Sequence, residues 1–202
     1  MRSIYFPVDF ENLLPCDGIV YYVPAVFDKK ECDCFQNALL KNIVWENDRV
    51  TIFGKTIITK RKVAWYGDKP YSYTYSKHQK TALFWSEELS AIKSRIEKTF
   101  NASFNSCLLN LYHDGEEGMS WHSDDEPELL KKGTIASVSF GAERKFVFKH
   151  KMSGIKKELL LENGSLLLML GGTQENWLHQ LPKTKKCKDN RINLTFRTII
   201  TS

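Results

Sequence analysis

What this sequence of 202 residues lacks narrows it first. Its five cysteines are odd in number and show no framework spacing, so a disulfide-stapled scaffold is excluded in favour of free thiols in a reducing compartment. Cys32-Asp33-Cys34 has no second pair to complete a zinc site and reads as structural. Apolar runs stop at about the length of Leu166–Leu170, far short of the ~20 residues that cross a bilayer. Met1-Arg2-Ser3-Ile4 opens no apolar leader, and Asp9 and Glu11 follow early, so a cytoplasmic or nuclear protein is expected. Repeats, low-complexity tracts and long linkers are missing too, which points to a single domain over residues 1–202. Disorder is excluded by a hydrophobic content of 42%. Aromatics, at 12%, favour a sheet-rich core or an aromatic-lined site.

A net charge of +5 is too small by itself to imply nucleic acid, but its distribution is uneven. Residues 50–80 carry seven Lys and Arg against Asp68 alone, whereas residues 113–128 carry seven acids and no Lys or Arg. Residues 144–157 are again purely basic. These runs read either as solvated loops or as an acidic centre rimmed by phosphate-attracting groups.

Two helices are predicted. One spans 29–43, with Asp28 as cap, Glu31 completing a capping box, and Cys32, Phe35, Leu39 and Ile43 at helical spacing. The other spans about 87–99 behind Ser86, with Leu89, Ile92, Ile96 and Phe100 as its buried stripe. From Asn105 the period becomes two, with strands expected at 106–112, 134–140, 144–150, 158–162, 165–170, 176–181 and 191–200. Seven short strands in about a hundred residues predict a sandwich or jelly roll.

The local chemistry centres on Trp121-His122-Ser123-Asp124. On extended backbone His122 and Asp124 project to the same side, so an imidazole and a carboxylate can meet one metal ion. His179, 55 residues beyond Asp124, is the best candidate for a third ligand. Two histidines and a carboxylate make the facial triad of non-haem Fe(II) oxygenases, with positions left open for cosubstrate and O2. In the last strand Arg191, Asn193, Thr195 and Arg197 share one parity and Ile192, Leu194 and Phe196 the other. Arginines six residues apart stand about 20 Å apart along a strand and are expected to bracket a small dicarboxylate from its two ends. Asn110 and Tyr112 share a face as well, serving either the same ligand or each other.

These residues resemble the AlkB family of Fe(II)/2-oxoglutarate-dependent dioxygenases. Asn110-Leu111-Tyr112, His122-Ser123-Asp124, His179 and Arg191-Ile192-Asn193-Leu194-Thr195-Phe196-Arg197 occur in that family's order and spacing, the last segment being the most specific. From about Lys62 to Ile199 the chain looks like the homologues that act on duplex DNA, with further agreement at Trp65-Tyr66-Gly67-Asp68, Tyr73-Thr74-Tyr75, Ile135–Ala142 and Asn163–Leu167. The resemblance implies an α+β double-stranded β-helix with flanking helices, its core at about 105–200. The N-terminal helix and a nucleotide-recognition extension would fill about 1–85. It implies Fe(II) held by His122, Asp124 and His179, and 2-oxoglutarate held by Asn110, Tyr112, Arg191, Asn193, Thr195 and Arg197. An extruded base would lie between His122 and Tyr75, with Tyr73, Asp125 and Glu126 at its polar edge. Tyr75 stands where a Phe is often found. Ile52-Phe53-Gly54-Lys55 resembles an intercalating finger, while the first fifty residues match less well. Phe53 is thus either a wedge or a core residue, and Asp125-Glu126 either a pocket wall or loop surface.

Lys55, Lys60, Arg61 and Lys62 are expected at phosphates. The implied activity is oxidative removal of N-methyl groups, as from 1-methyladenine and 3-methylcytosine in DNA, with O2 as oxidant. The alternatives are an oxygenase of RNA, of a protein or of a small molecule, and a catalytically silent nucleic-acid-binding module. A zinc hydrolase is disfavoured because it leaves the paired arginines without a role. No membrane association is expected.

Overall fold

The computed structural model describes residues 11–52, 55–75 and 78–200, with backbone alone at 50–52, 55, 72–75 and 78–80. In chain order the elements are β1 (Ile19–Val23), α1 (Lys29–Asn42), β2 (Glu46–Ile52), β3 (Lys55–Gly67), β4 (Ser72–Tyr75), β5 (His78–Thr81), β6 (Leu83–Phe84) and α2 (Glu87–Phe100). There follow β7 (Ser106–Tyr112), β8 (Met119–His122), β9 (Ile135–Gly141), β10 (Arg144–His150), β11 (Lys156–Leu161), β12 (Leu166–Leu170), α3 (Thr173–Asn176), β13 (Trp177–Leu181) and β14 (Arg191–Arg197).

Both long helices begin as their caps dictate. The Asp28 carboxylate accepts the Glu31 amide at 2.8 Å while the Glu31 carboxylate accepts the Asp28 amide at 3.0 Å. The Ser86 hydroxyl accepts the Leu89 amide, and α2 ends on Asn101 in the left-handed region. Their apolar stripes lie on the large sheet, ordered β1-β12-β9-β14-β7-β3-β2, which β6 extends in parallel beside β3. One face of that sheet presents Leu109, Leu111, Val138, Phe140, Ile192, Leu194 and Phe196 to the helices in a single core. Each such side chain contributes roughly 1.5–3 kcal/mol on burial.

The opposite face meets the small sheet, ordered β11-β10-β13-β8. Ile135, Leu167 and Met169 of the large sheet pack there with Phe148, Leu161 and Trp177 of the small one. Between β11 and β12 the chain reverses at Gly164, whose φ is +78° and where a Cβ would lie 2.5 Å from the Phe27 carbonyl. This is the expected α+β double-stranded β-helix with flanking helices.

The N-terminal region contributes strands to the large sheet. Much of the 50–80 segment, read as a recognition extension, belongs to the large sheet: β3 runs for 13 residues between β2 and β7, in register from Lys62↔Leu111 to Gly67↔Ser106. Val63, Ala64, Trp65 and Tyr66 are buried in succession, as a strand covered on both faces requires. Among the described residues no helix is long and apolar enough to cross a membrane.

Candidate metal centre and adjoining cavity

A cavity of about 190 Å³ opens between the sheets. Its large-sheet wall is built from the side chains of opposite parity to the helix-facing core: Arg61, Val63, Asn110, Tyr112, Ser137, Arg191, Asn193 and Thr195. The small sheet contributes Met119, His122, Phe146, His179 and Leu181, and the segment after β8 adds Asp124 and Glu126.

His122 and His179 are partners across the β8–β13 ladder, their rings 4.3 Å apart. Asp124, two residues past His122, brings its Oδ1 to 3.9 Å from His122 Nε2. One ligand atom from each of His122, Asp124 and His179 lies within 4.8 Å of the others. The tautomer of His122 follows from its surroundings. Its Nδ1 stands 2.8 Å from the Ser120 carbonyl, which can only accept, so Nδ1 is the donor and Nε2 is the atom left toward Asp124. His179 is 4% exposed and stacks on Phe146, and its buried Nδ1 has no hydrogen-bond partner among the described residues. Burial first, then His122 and Lys151, hold its pKa well below 6.5, keeping the neutral form that ligation requires. Two imidazoles, one with an orphaned ring nitrogen, and a converging carboxylate suit a divalent transition metal.

The second half of the cavity suits an anion. Arg191 is 2% exposed, and its Nη2 donates to Ser139 Oγ at 2.9 Å; no carboxylate pairs with it among the described residues. Burial lowers its pKa to about 10, so it remains charged at neutral pH. A buried cation without a counter-ion is costly, and an anionic ligand removes that cost. Asn110 Oδ1 is likewise buried without a partner among the described residues, and Tyr112 lies beside the guanidinium, 5.6 Å from ring centroid to Cζ. Asn193 acts mainly inward: its Nδ2 donates to Ser137 Oγ at 2.8 Å and to the Val138 carbonyl, while its Oδ1 accepts from the Thr195 hydroxyl.

Two arginines stand elsewhere than expected. Arg197 does not share the Arg191 cavity; its Nη1 is 3.2 Å from Glu126 Oε1, and it lines a neighbouring cleft of about 200 Å³. Glu126 lines both spaces, so the Arg197–Glu126 pair stands at the boundary between them. Arg61, expected at a phosphate, is turned into the cavity wall. It is 8% exposed, ion-paired with buried Asp48, and its guanidinium lies 6.0 Å from the Tyr112 ring centroid. Strand alternation explains this: Arg61 shares the inward parity of Val63, while Lys60 stays exposed and Lys62 half-buried on the other parity.

Glu126 borders both cavities, while Asp125 is exposed and accepts from the Ser123 hydroxyl. Lys55 lies on β3 and Tyr73 and Tyr75 on β4, with their side chains outside the described residues, as is Phe53 altogether. Sequence reasoning missed Asp48, Met119, Phe146 and Met169 as cavity wall. Of these, Phe146 carried a signal, its alternation with Lys145 and Lys149 in a strand placed correctly.

Over residues 19–197 the chain matches the 2OG-Fe(II) oxygenase superfamily, and it belongs to that superfamily. Within it the chain groups with the AlkB homologues. It is 37% identical over 185 residues to the alpha-ketoglutarate-dependent dioxygenase alkB homolog 3 of Mus musculus, covering 87% of this chain and 64% of that protein. To the DNA oxidative demethylase ALKBH2 of Mus musculus it is 38% identical over 201 residues, 93% of this chain and 81% of that one. The chain therefore spans a little under two thirds of the first of these relatives. The structure of OsALKBH1 superposes with a TM-score of 0.63 at 16% identity, covering 89% of this chain and 97% of that one, a likeness of fold.

Proposed function

We propose that this chain is an oxidative demethylase of N-alkylated nucleobases, with 1-methyladenine and 3-methylcytosine in DNA as its substrates. The observation that carries the proposal is the juxtaposition of a two-histidine, one-carboxylate cluster with a buried arginine that has no carboxylate partner among the described residues. The relatives named as DNA oxidative demethylase and alkB homologue support the substrate class. A DNA substrate and free thiols fit a cytoplasmic or nuclear site of action.

His122, Asp124 and His179 would hold the ferrous ion, and Arg191, Asn110, Tyr112 and Thr195 the 2-oxoglutarate. When bound, these two groups and O2 supply the oxidising power: the cosubstrate leaves as succinate and CO2, and the N-methyl group becomes a hydroxymethyl that departs as formaldehyde. The chain's own residues bind and orient. Arg191 neutralises a carboxylate inside a site from which the sheets exclude water, where charge-assisted bonds are strongest. Glu126, steadied by Arg197, offers a carboxylate to a cationic methylated base at the cavity rim. A base within a duplex is out of reach of this cavity, so the substrate must be extruded or single-stranded.

The test is formaldehyde and succinate release from an oligonucleotide containing 1-methyladenine, with Fe(II) and 2-oxoglutarate added. Stoichiometric release of both is expected. No turnover on any methylated DNA or RNA overturns the proposal, and turnover on methylated RNA alone moves the substrate to RNA.

A further inference from the structure

β8 ends at His122, and its ladder to β13 ends there too. Ser123 and Asp124 are therefore carried on backbone outside any strand, and something else must fix the direction in which Asp124 aims its carboxylate. From the residues in contact with this segment, we infer that Gln174 is a positioning residue for Asp124, fastened in turn by Lys151. This rests on the reading that His122, Asp124 and His179 hold a metal.

The Asp124 amide donates to Gln174 Oε1 at 2.9 Å. The other end of the same side-chain amide, Nε2, lies 3.3 Å from Met169 Sδ, so Gln174 is held at both polar atoms. Met169 lines the cavity, and Gln174 lines the adjoining cleft with Asp124 between the two spaces. Lys151 Nζ completes the clamp. It donates to the Ser123 hydroxyl at 3.1 Å and to the Gln174 carbonyl at 2.9 Å, tying the metal-ligand segment to α3 from a second side.

α3 is itself anchored without Gln174. Thr173 is 1% exposed, and its hydroxyl accepts the Ile19 amide and donates to the Leu170 carbonyl at 2.6 Å, with the Ile19 carbonyl also within 3.1 Å. Removing the Gln174 side chain thus leaves the helix in place and frees the Asp124 backbone. Groups that orient metal ligands without touching the ion are worth about 10- to 100-fold in metal affinity.

The experiment titrates the full chain with Mn²⁺ alone and records the visible absorption of the Co²⁺-loaded protein, whose bands report ligand geometry. Gln174→Leu is expected to weaken Mn²⁺ binding about 10-fold or more and to change the Co²⁺ bands, with the thermal midpoint of the metal-free chain unmoved. Gln174→Glu, which keeps the accepting oxygen, is expected to bind Mn²⁺ within about threefold of the unmodified chain. Unchanged affinity and Co²⁺ spectrum in Gln174→Leu overturn the inference, as does a Gln174→Glu variant no better than Gln174→Leu. If Gln174→Leu fails to fold, Lys151→Met decides: weakened Mn²⁺ binding supports the clamp, and full affinity overturns it. An unmodified chain that binds neither ion overturns the metal triad and this inference together. Normal binding by both chain and variants removes the inference alone.

Discussion

Asp48 and Arg61 illustrate how much one buried pair can hold. Asp48 is 4% exposed and Arg61 8%, and the guanidinium also lies against Tyr112 and Met119 Sδ. Arg191 approaches the same Tyr112 ring, so the phenol is set between two cations in the wall of the cavity. Replacing Asp48 leaves a buried cation uncompensated. Asp48→Asn is expected to destabilise the chain by about 3–5 kcal/mol in urea unfolding, whereas joint replacement by Asp48→Leu and Arg61→Met should cost less. Equal losses in the single and the joint variant would contradict this account. Arg144 solves the same problem differently: at 1% exposure it donates to the carbonyls of Asp114, Gly115, Glu117 and Pro182. It thereby ties the acidic loop before β8 to the turn after β13, the two strands that carry the histidines.

At the scale of elements, the sequence was most legible where local chemistry acts alone. Asp28, Glu31 and Ser86 announce both helices because a cap is a contact between near neighbours. Ser86→Ala is expected to cost about 1 kcal/mol by denaturant titration, with an unchanged slope against denaturant. β7 and β10 match their predicted spans because each presents one apolar face and one of different character. β1 and β2 were missed. β3 was read only as part of a basic segment, since burial on both faces erases the alternation that marks a strand. Parity gave the side on which Arg191 and Arg197 project but not their depth along the sandwich. That depth depends on Glu126, 71 residues away, which no local pattern can supply.

For the molecule as a whole, the free thiols read from the sequence divide by depth. Cys16 and Cys34 are exposed, while Cys32 and Cys107 are buried in the core under the helices. Burial pushes the Cys32 thiol up to about 11 and Cys107 well above its usual 9. The sign follows from linkage: above pH 9 the unfolded chain releases thiol protons that the folded chain retains, so stability falls as pH rises. The urea midpoint is therefore expected to drop between about pH 9 and 11, and to drop less in Cys32→Val. An identical decline in that variant would remove the thiol from the explanation. The cluster of His122, Asp124 and His179 was legible at this scale because two of its three residues are near neighbours in sequence. The clamp on Asp124 was not, because Gln174 and Lys151 meet it only after the sheets have closed.

β3 serves two masters along one strand. Its odd positions, Arg61 and Val63, line the cavity, while on the even parity Lys60 is exposed and Lys62 half-buried. The two sets share a backbone and almost nothing else. Substitution at Lys60 can therefore change the outward charge of the strand while leaving the cavity wall as it was.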